Sequence, residues 1–140
     1  MTTPTESSAK PLLQVGPDML PFFEAARRRE LVVQQCTQCR TLRFPARSIC
    51  SRCLSRAATW IAVSGRGTVF SFAVMHQALH PGFTTEMPYA VVVIELEEGA
   101  RLLSNLVDCP LADIRIAMPV EVVFVDVGPE TTLPKFRPRA

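Results

Sequence analysis

Three observations predict a mainly β protein built as an N-terminal helix, a four-cysteine zinc ribbon and a five-stranded barrel. Two Cys-x-x-Cys pairs, Cys36/Cys39 and Cys50/Cys53, are separated by ten residues. From Thr68 onward the chain becomes a series of Val-, Ile- and Phe-rich runs punctuated by Gly and Pro, the pattern of short strands and turns. Those runs follow the order strand, long loop, hairpin, short helical turn, strand and tail. That is the plan of an OB-type barrel, whose helix lies between the third and fourth strands. A small β-sandwich gives a similar string.

At 140 residues the chain is one domain or a domain with a small appendage, large enough for a real core. Its longest apolar runs, such as Tyr89 to Ile94, are far too short to cross a bilayer, and Met1 to Lys10 is polar without a hydrophobic signal region. A cytoplasmic protein with reduced thiols is therefore expected. The formal net charge of +2 conceals an uneven distribution. Between Arg27 and Arg66 nine arginines face one acid, Glu30, whereas from Gly67 onward nine acids face five bases. The front half is thus a basic module suited to phosphate groups or an acidic partner surface.

Residues 1–16 are Thr-, Ser- and Pro-containing without periodicity and are expected to form a mobile arm. Asp18 is placed to cap a helix beginning near Met19, with Pro21 in the first turn and Met19, Phe22, Phe23 and Ala26 as its apolar stripe. A helix this short needs a surface to dock on. Glu30 to Gln35 is expected as a strand delivering Cys36, and Thr41 to Arg47 as a second strand returning toward Cys50, which makes a two-stranded ribbon. Each cysteine pair then folds into a knuckle presenting two sulfurs to one ion. Four thiolates fill a tetrahedral site and leave no position for an activated water, so the metal is structural. Zinc is the better match, and iron fits the same ligand set in a rubredoxin-like way. Two disulfides are the competing reading, which a reducing compartment opposes.

Thr59 to Ser64 leads out through Gly65-Arg66-Gly67, a turn tolerant of unusual backbone angles. The module boundary falls there, giving residues 17–64 as helix and ribbon and residues 65–140 as barrel with a C-terminal tail. Thr68 to His76 alternates as a strand, with Phe70, Phe72 and Val74 on one face and Val69, Ser71, Ala73 and Met75 on the other. Gln77 to Pro88 is a loop of about a dozen residues, a length often functional when it lacks structure of its own. Tyr89 to Leu96 and Ala100 to Val107 form a hairpin about Glu97-Glu98-Gly99. Leu111 to Ile116 gives one helical turn, Val120 to Val127 a further strand, and Leu133 to Pro138 a last strand or extended tail.

In this order the residues resemble a known family, the bacterial and archaeal proteins that join a rubredoxin-like zinc ribbon to an OB-fold, called domain of unknown function 35. The resemblance is carried by Pro21-Phe22-Phe23-Glu24-Ala25, the two Cys-x-x-Cys pairs and Phe44-Pro45-Ala46-Arg47. It continues through Gly67-Thr68-Val69-Phe70-Ser71-Phe72, Pro81-Gly82-Phe83, Pro88-Tyr89-Ala90-Val91, Gly99-Ala100-Arg101-Leu102-Leu103 and Met118-Pro119-Val120-Glu121-Val122. It covers about Pro17 to Arg137. The resemblance implies a protein that binds acyl-CoA or serves as partner subunit to thiolase-superfamily enzymes. These include lipid-transfer-protein-like aldolases and acyltransferases of lipid, polyketide or steroid metabolism. The partner then carries the catalytic residues. Where the family often has Gly after the second cysteine of each knuckle, this chain has Arg40 and Leu54, and before the Met-Pro turn it has Ala117.

Independent catalysis is poorly supplied. His76 and His80 have no evident partners in sequence, and Cys109 is the one cysteine outside the ribbon, most simply a small buried hydrophobe. The rival function is single-stranded nucleic-acid binding, since both modules occur in such proteins. The second and third barrel strands, however, carry one aromatic, Tyr89, and end on Glu97 and Glu98, which repel phosphates. The leading expectation is a non-catalytic accessory subunit, with structural Zn2+ on Cys36, Cys39, Cys50 and Cys53. Arg47 and Arg66 are expected at the phosphates of a CoA through charge-assisted hydrogen bonds.

Overall fold

The structure, a computed structural model, describes residues 10–11 and 13–140; most of the expected N-terminal arm, residues 1–9 and Leu12, lies outside them. A 3-10 turn, Pro17–Met19, runs directly into helix α1, Leu20–Arg27. Asp18 is therefore not the expected cap. It sits inside the 3-10 turn, and Met19 at the helix N-cap is already helical (φ −103, ψ 0), with no side chain capping it. Pro21 lies in the first turn, where its missing N–H has no intrahelical role. Phe22, Ala25 and Ala26 form the buried face, with Met19 and Phe23 packed beside it.

The front module is a three-stranded antiparallel sheet in the order β2-β1-β3, with β1 at Val32–Cys36, β2 at Leu42–Arg43 and β3 at Ala58–Ala62. Two expectations are corrected here. The returning strand is two residues long, because Pro45 has no N–H to continue a ladder. The segment expected as an exit is a full ribbon strand: Val33 pairs with Ile61, Gln34 with Trp60 and Cys36 with Ala58.

Five strands close the barrel in the order β4-β5-β6-β8-β7: β4 Arg66–Met75, β5 Tyr89–Leu96, β6 Arg101–Leu106, β7 Pro119–Asp126 and β8 Thr132–Pro138. A short 3-10 turn, Leu111–Asp113, lies between the third and fourth of these, as the OB plan requires. The entry to β4 depends on glycine twice. Gly65 adopts φ 76, and a Cβ on Gly67 would run into the Glu95 backbone carbonyl, so only glycine lets β4 approach β5 this closely. A bulge between Val69 and Ser71 breaks the face expected to carry Phe70, Phe72 and Val74 together. Phe72 and Val74 oppose Val92 and Ala90 across the ladder, with Phe72 still 36% exposed, and Phe70 is exposed under the Arg101 guanidinium, 3.8 Å from its ring centre.

The loop expected over Gln77 to Pro88 has structure of its own, a 3-10 segment Pro81–Glu86 capped by His80, whose Nδ1 accepts from the Gly82 N–H at 2.9 Å. Val69, Val92, Ile94, Leu96, Val120 and Phe136 are fully buried at the barrel centre. Their cluster is continuous with Phe22, Leu31 and Val33 of the front module, and α1 packs on β8. Polar joints reinforce that seam. Arg29 donates twice to Asp126, at 2.9 Å each, the Ser64 N–H donates to Glu98 at 2.8 Å, and Arg66 Nε donates to Glu97 at 3.1 Å. Among the described residues no helix is long and apolar enough to cross a membrane.

Candidate metal centre and basic clefts

The two knuckles share one geometry. In the first, the Arg40 N–H donates to the Cys36 carbonyl at 2.9 Å; in the second, the Leu54 N–H donates to the Cys50 carbonyl at 3.0 Å. Each turn closes on a left-handed residue, Arg40 at φ 62 and Leu54 at φ 64, and Ala117 adopts φ 69. These are the three positions where the family resemblance leads to an expectation of glycine, and the side chains present occupy a backbone conformation that non-glycine residues disfavour.

The folded knuckles bring the four sulfurs within 4.8 Å of one another, two from buried cysteines, Cys36 and Cys50, and two from exposed ones, Cys39 and Cys53. Cys36 Sγ lies 3.5 Å from Cys53 Sγ, and Cys39 Sγ lies 3.6 Å from Cys50 Sγ. These separations are far beyond a disulfide's ~2.05 Å. They are close to the ~3.8 Å edge of a tetrahedron with Zn–S bonds of about 2.3 Å. The four-cysteine cluster is therefore consistent with a structural Zn2+ site with every position taken by sulfur.

Hydrogen bonds to sulfur prepare these ligands for ionisation. The Cys39 backbone N–H, followed by that of Gln38, holds the Cys36 thiol below its usual range. The Thr41 hydroxyl and then its N–H lower Cys39, and the N–H groups of Cys53 and Arg52 lower Cys50. Cys53 goes the other way. The Ser55 N–H pulls it down, but the neighbouring Cys36 sulfur, burial, and then Cys39 and Cys50 outweigh that pull and push it up to about 12. Four sulfurs this close cannot all ionise without a cation among them, and a dication removes that repulsion.

Next to the clasp are two clefts, of about 310 and 370 Å³. The first lies on the ribbon, and Arg43, Arg47 and Arg56 line it together with Asp18. The second runs between ribbon and barrel, where Arg43 and Arg47 meet Arg101 and Gly99. Arg47 thus faces both clefts, while Arg66 lines neither and holds Glu97. The two arginines expected at CoA phosphates are not brought to one cleft. Arg43, which lines both clefts together with Arg47, escapes sequence reasoning because nothing local marks it among nine arginines.

The remaining candidates sit in different surroundings. His80 caps its 3-10 segment, its Nδ1 accepting from the Gly82 N–H. Burial and then the Asp113 charge push the Cys109 thiol up, away from the thiolate form a nucleophile needs. His76 is exposed.

Two family models match the chain. Residues 23–58 match the family described as ChsH2, rubredoxin-like zinc ribbon domain, and residues 60–125 that described as ChsH2, C-terminal OB-fold domain. The chain is 42% identical over 140 residues to the probable enoyl-CoA hydratase alpha subunit of Thermomonospora curvata, covering 98% of this chain and 43% of that protein. It therefore spans less than half of that subunit's length. It is 41% identical over 95 residues to a DUF35 domain-containing scaffold protein of Methanocaldococcus jannaschii, covering 67% of each. A chain in the solved structure of the Ltp2-ChsH2(DUF35) aldolase superposes with a TM-score of 0.82 at 42% identity, covering 91% of this chain and 98% of that one.

Proposed function

The chain belongs to the ChsH2/DUF35 family of zinc-ribbon and OB-fold proteins, and we propose that it acts there as a non-catalytic scaffold subunit of a thiolase-superfamily enzyme. The partner is a lipid-transfer-protein-type aldolase or acyltransferase working on acyl-CoA substrates of lipid, steroid or polyketide metabolism in the cytoplasm. The observation that carries this reading is the near end-to-end likeness to a chain of the Ltp2-ChsH2(DUF35) aldolase. The metal-clasped architecture supports it. Cys36, Cys39, Cys50 and Cys53 hold one Zn2+ whose four coordination positions all serve the fold, so residues 17–64 act as a rigid clasp beside the barrel of residues 65–140.

Acyl-CoA is the ligand class of this reading, with Arg47 and Arg66 as phosphate contacts. Arg47 is exposed and, among the described residues, in no ion pair, which supports its part; Arg66 has to exchange Glu97 for the ligand. Purification of the chain at native abundance from its host tests the proposal. A thiolase-like protein recovered in stoichiometric amount is expected, and recovery of the chain alone overturns it.

A further inference from the structure

Most arginines that touch the barrel are neutralised. Arg29, Arg66, Arg101, Arg137 and Arg139 each lie within 4.0 Å of a carboxylate. The ribbon is different: among the described residues Arg43, Arg47 and Arg56 form no ion pair, yet all three converge on one cleft of about 310 Å³. Asp18 is the acid that shares this cleft, leaving an excess of two positive charges.

Arg43 gives that excess a direction. It is 8% exposed, its Nε donates to Gln34 Oε1 at 2.8 Å, and its Nη1 is buried with no hydrogen-bond partner among the described residues. A buried guanidinium with an orphaned donor is costly, and such donors mark places where an ion or water belongs. The surroundings are held ready for one. Gln34 Oε1 also accepts from the Arg47 backbone N–H at 3.0 Å, so one side chain of β1 fixes both the Arg43 fork and the loop that presents Arg47. Ser48 adds a hydroxyl beside them, and Arg56 lines the cleft from the segment that leads into β3.

We propose that this cleft is a binding site for a phosphate-type dianion, with Arg43 as its buried anchor and Arg47 and Arg56 as the exposed arms. Planar guanidinium forks match phosphate oxygens, and the net charge of the lining matches a doubly charged ligand. Arg47 is shared with the CoA contact proposed above, but the inference rests on Arg43 and its cleft and stands if CoA does not bind. Free phosphates and the phosphates of a nucleotide share this chemistry.

The test is calorimetric titration of the full, metal-loaded chain with inorganic phosphate and, separately, with adenosine 3′,5′-bisphosphate at physiological salt. Arg43 is left intact, because truncating it endangers the fold. Saturable binding of either probe is expected, about tenfold weaker in Arg47→Gln and in Arg56→Gln and unchanged in Arg115→Gln. Equal affinity for the two probes identifies a bare anion site, and tighter nucleotide binding identifies a nucleotide source. Absence of saturable binding of both probes up to about 10 mM, or an equal loss in Arg115→Gln, overturns the proposal whatever partner the chain assembles with.

Discussion

Removing the metal should unfold the ribbon and spare the barrel. Apart from the cysteines, the strands and lead-in of the ribbon contribute three wholly apolar buried side chains, Leu31, Val32 and Val33. The ribbon's other apolar side chains, Leu42, Phe44, Trp60 and Ile61, are only partly buried, and the turns that carry the cysteines bury little besides sulfur, so the metal is what holds those turns in place. A strong chelator should therefore release about one metal equivalent. Amide exchange followed by mass spectrometry should then show protection lost over β1, β2 and β3 and kept over β5 and β6. Full protection of the ribbon after complete metal removal would refute the reasoning, and loss across the barrel would show that the two modules fold as one unit.

Three further outcomes follow from particular side chains. Phe136 is fully buried, pairs with Val122 of β7 and Leu106 of β6, and so closes the barrel; Phe136→Ala should cost about 3–5 kcal/mol in urea unfolding, and a loss below about 1 kcal/mol would show that the closure is not made here. The Arg29 hydrogen bond, helped by the Thr132 hydroxyl, holds the Asp126 carboxyl down to about 2. A carboxylate depressed in the folded state adds stability that is present above its unfolded value near 4 and is lost as pH falls through about 2. In Arg29→Ala the NMR titration of Asp126 should move up toward 4, and an unchanged midpoint would remove Arg29 as the cause. Leu54 is 75% exposed at φ 64, so Leu54→Gly loses no burial and relieves a left-handed strain of about 1–2 kcal/mol against a glycine entropy penalty of about half that. A small rise in thermal midpoint with metal content unchanged is expected, and a fall would mean that the Leu54 side chain has a packing role.

What the sequence makes legible is whatever is encoded locally. The Cys-x-x-Cys spacing fixes the metal cluster because a knuckle needs only its own few residues, here closed by the Arg40 and Leu54 N–H bonds. The β5 strand is legible because Tyr89 to Ile94 is an unbroken apolar, Val-rich run that leads into the Glu97-Glu98-Gly99 turn, although its alternating burial is not, since both faces are apolar in sequence. By contrast, β3 is missed because Ala58 to Ala62 has no buried face of its own and is a strand only by pairing with β1. The Asp18 cap fails because Pro17 starts a 3-10 turn that makes the chain helical one turn too early for capping. The burial of Arg43 is a tertiary outcome, created when Gln34 from another strand receives its Nε and the ribbon closes over it. No pattern in the residues around Arg43 encodes that.

Presentation of this chain to a catalytic partner by a metal-fixed clasp is tested most directly by light-scattering molar mass. The metal-loaded chain is mixed with a purified thiolase-superfamily subunit from its host, and the same mixture is measured after chelation. A defined complex is expected that forms with the loaded chain, restores the partner's acyl-CoA activity and is lost when the metal is removed. Two separate species in the loaded mixture, or a complex indifferent to the metal, would contradict it.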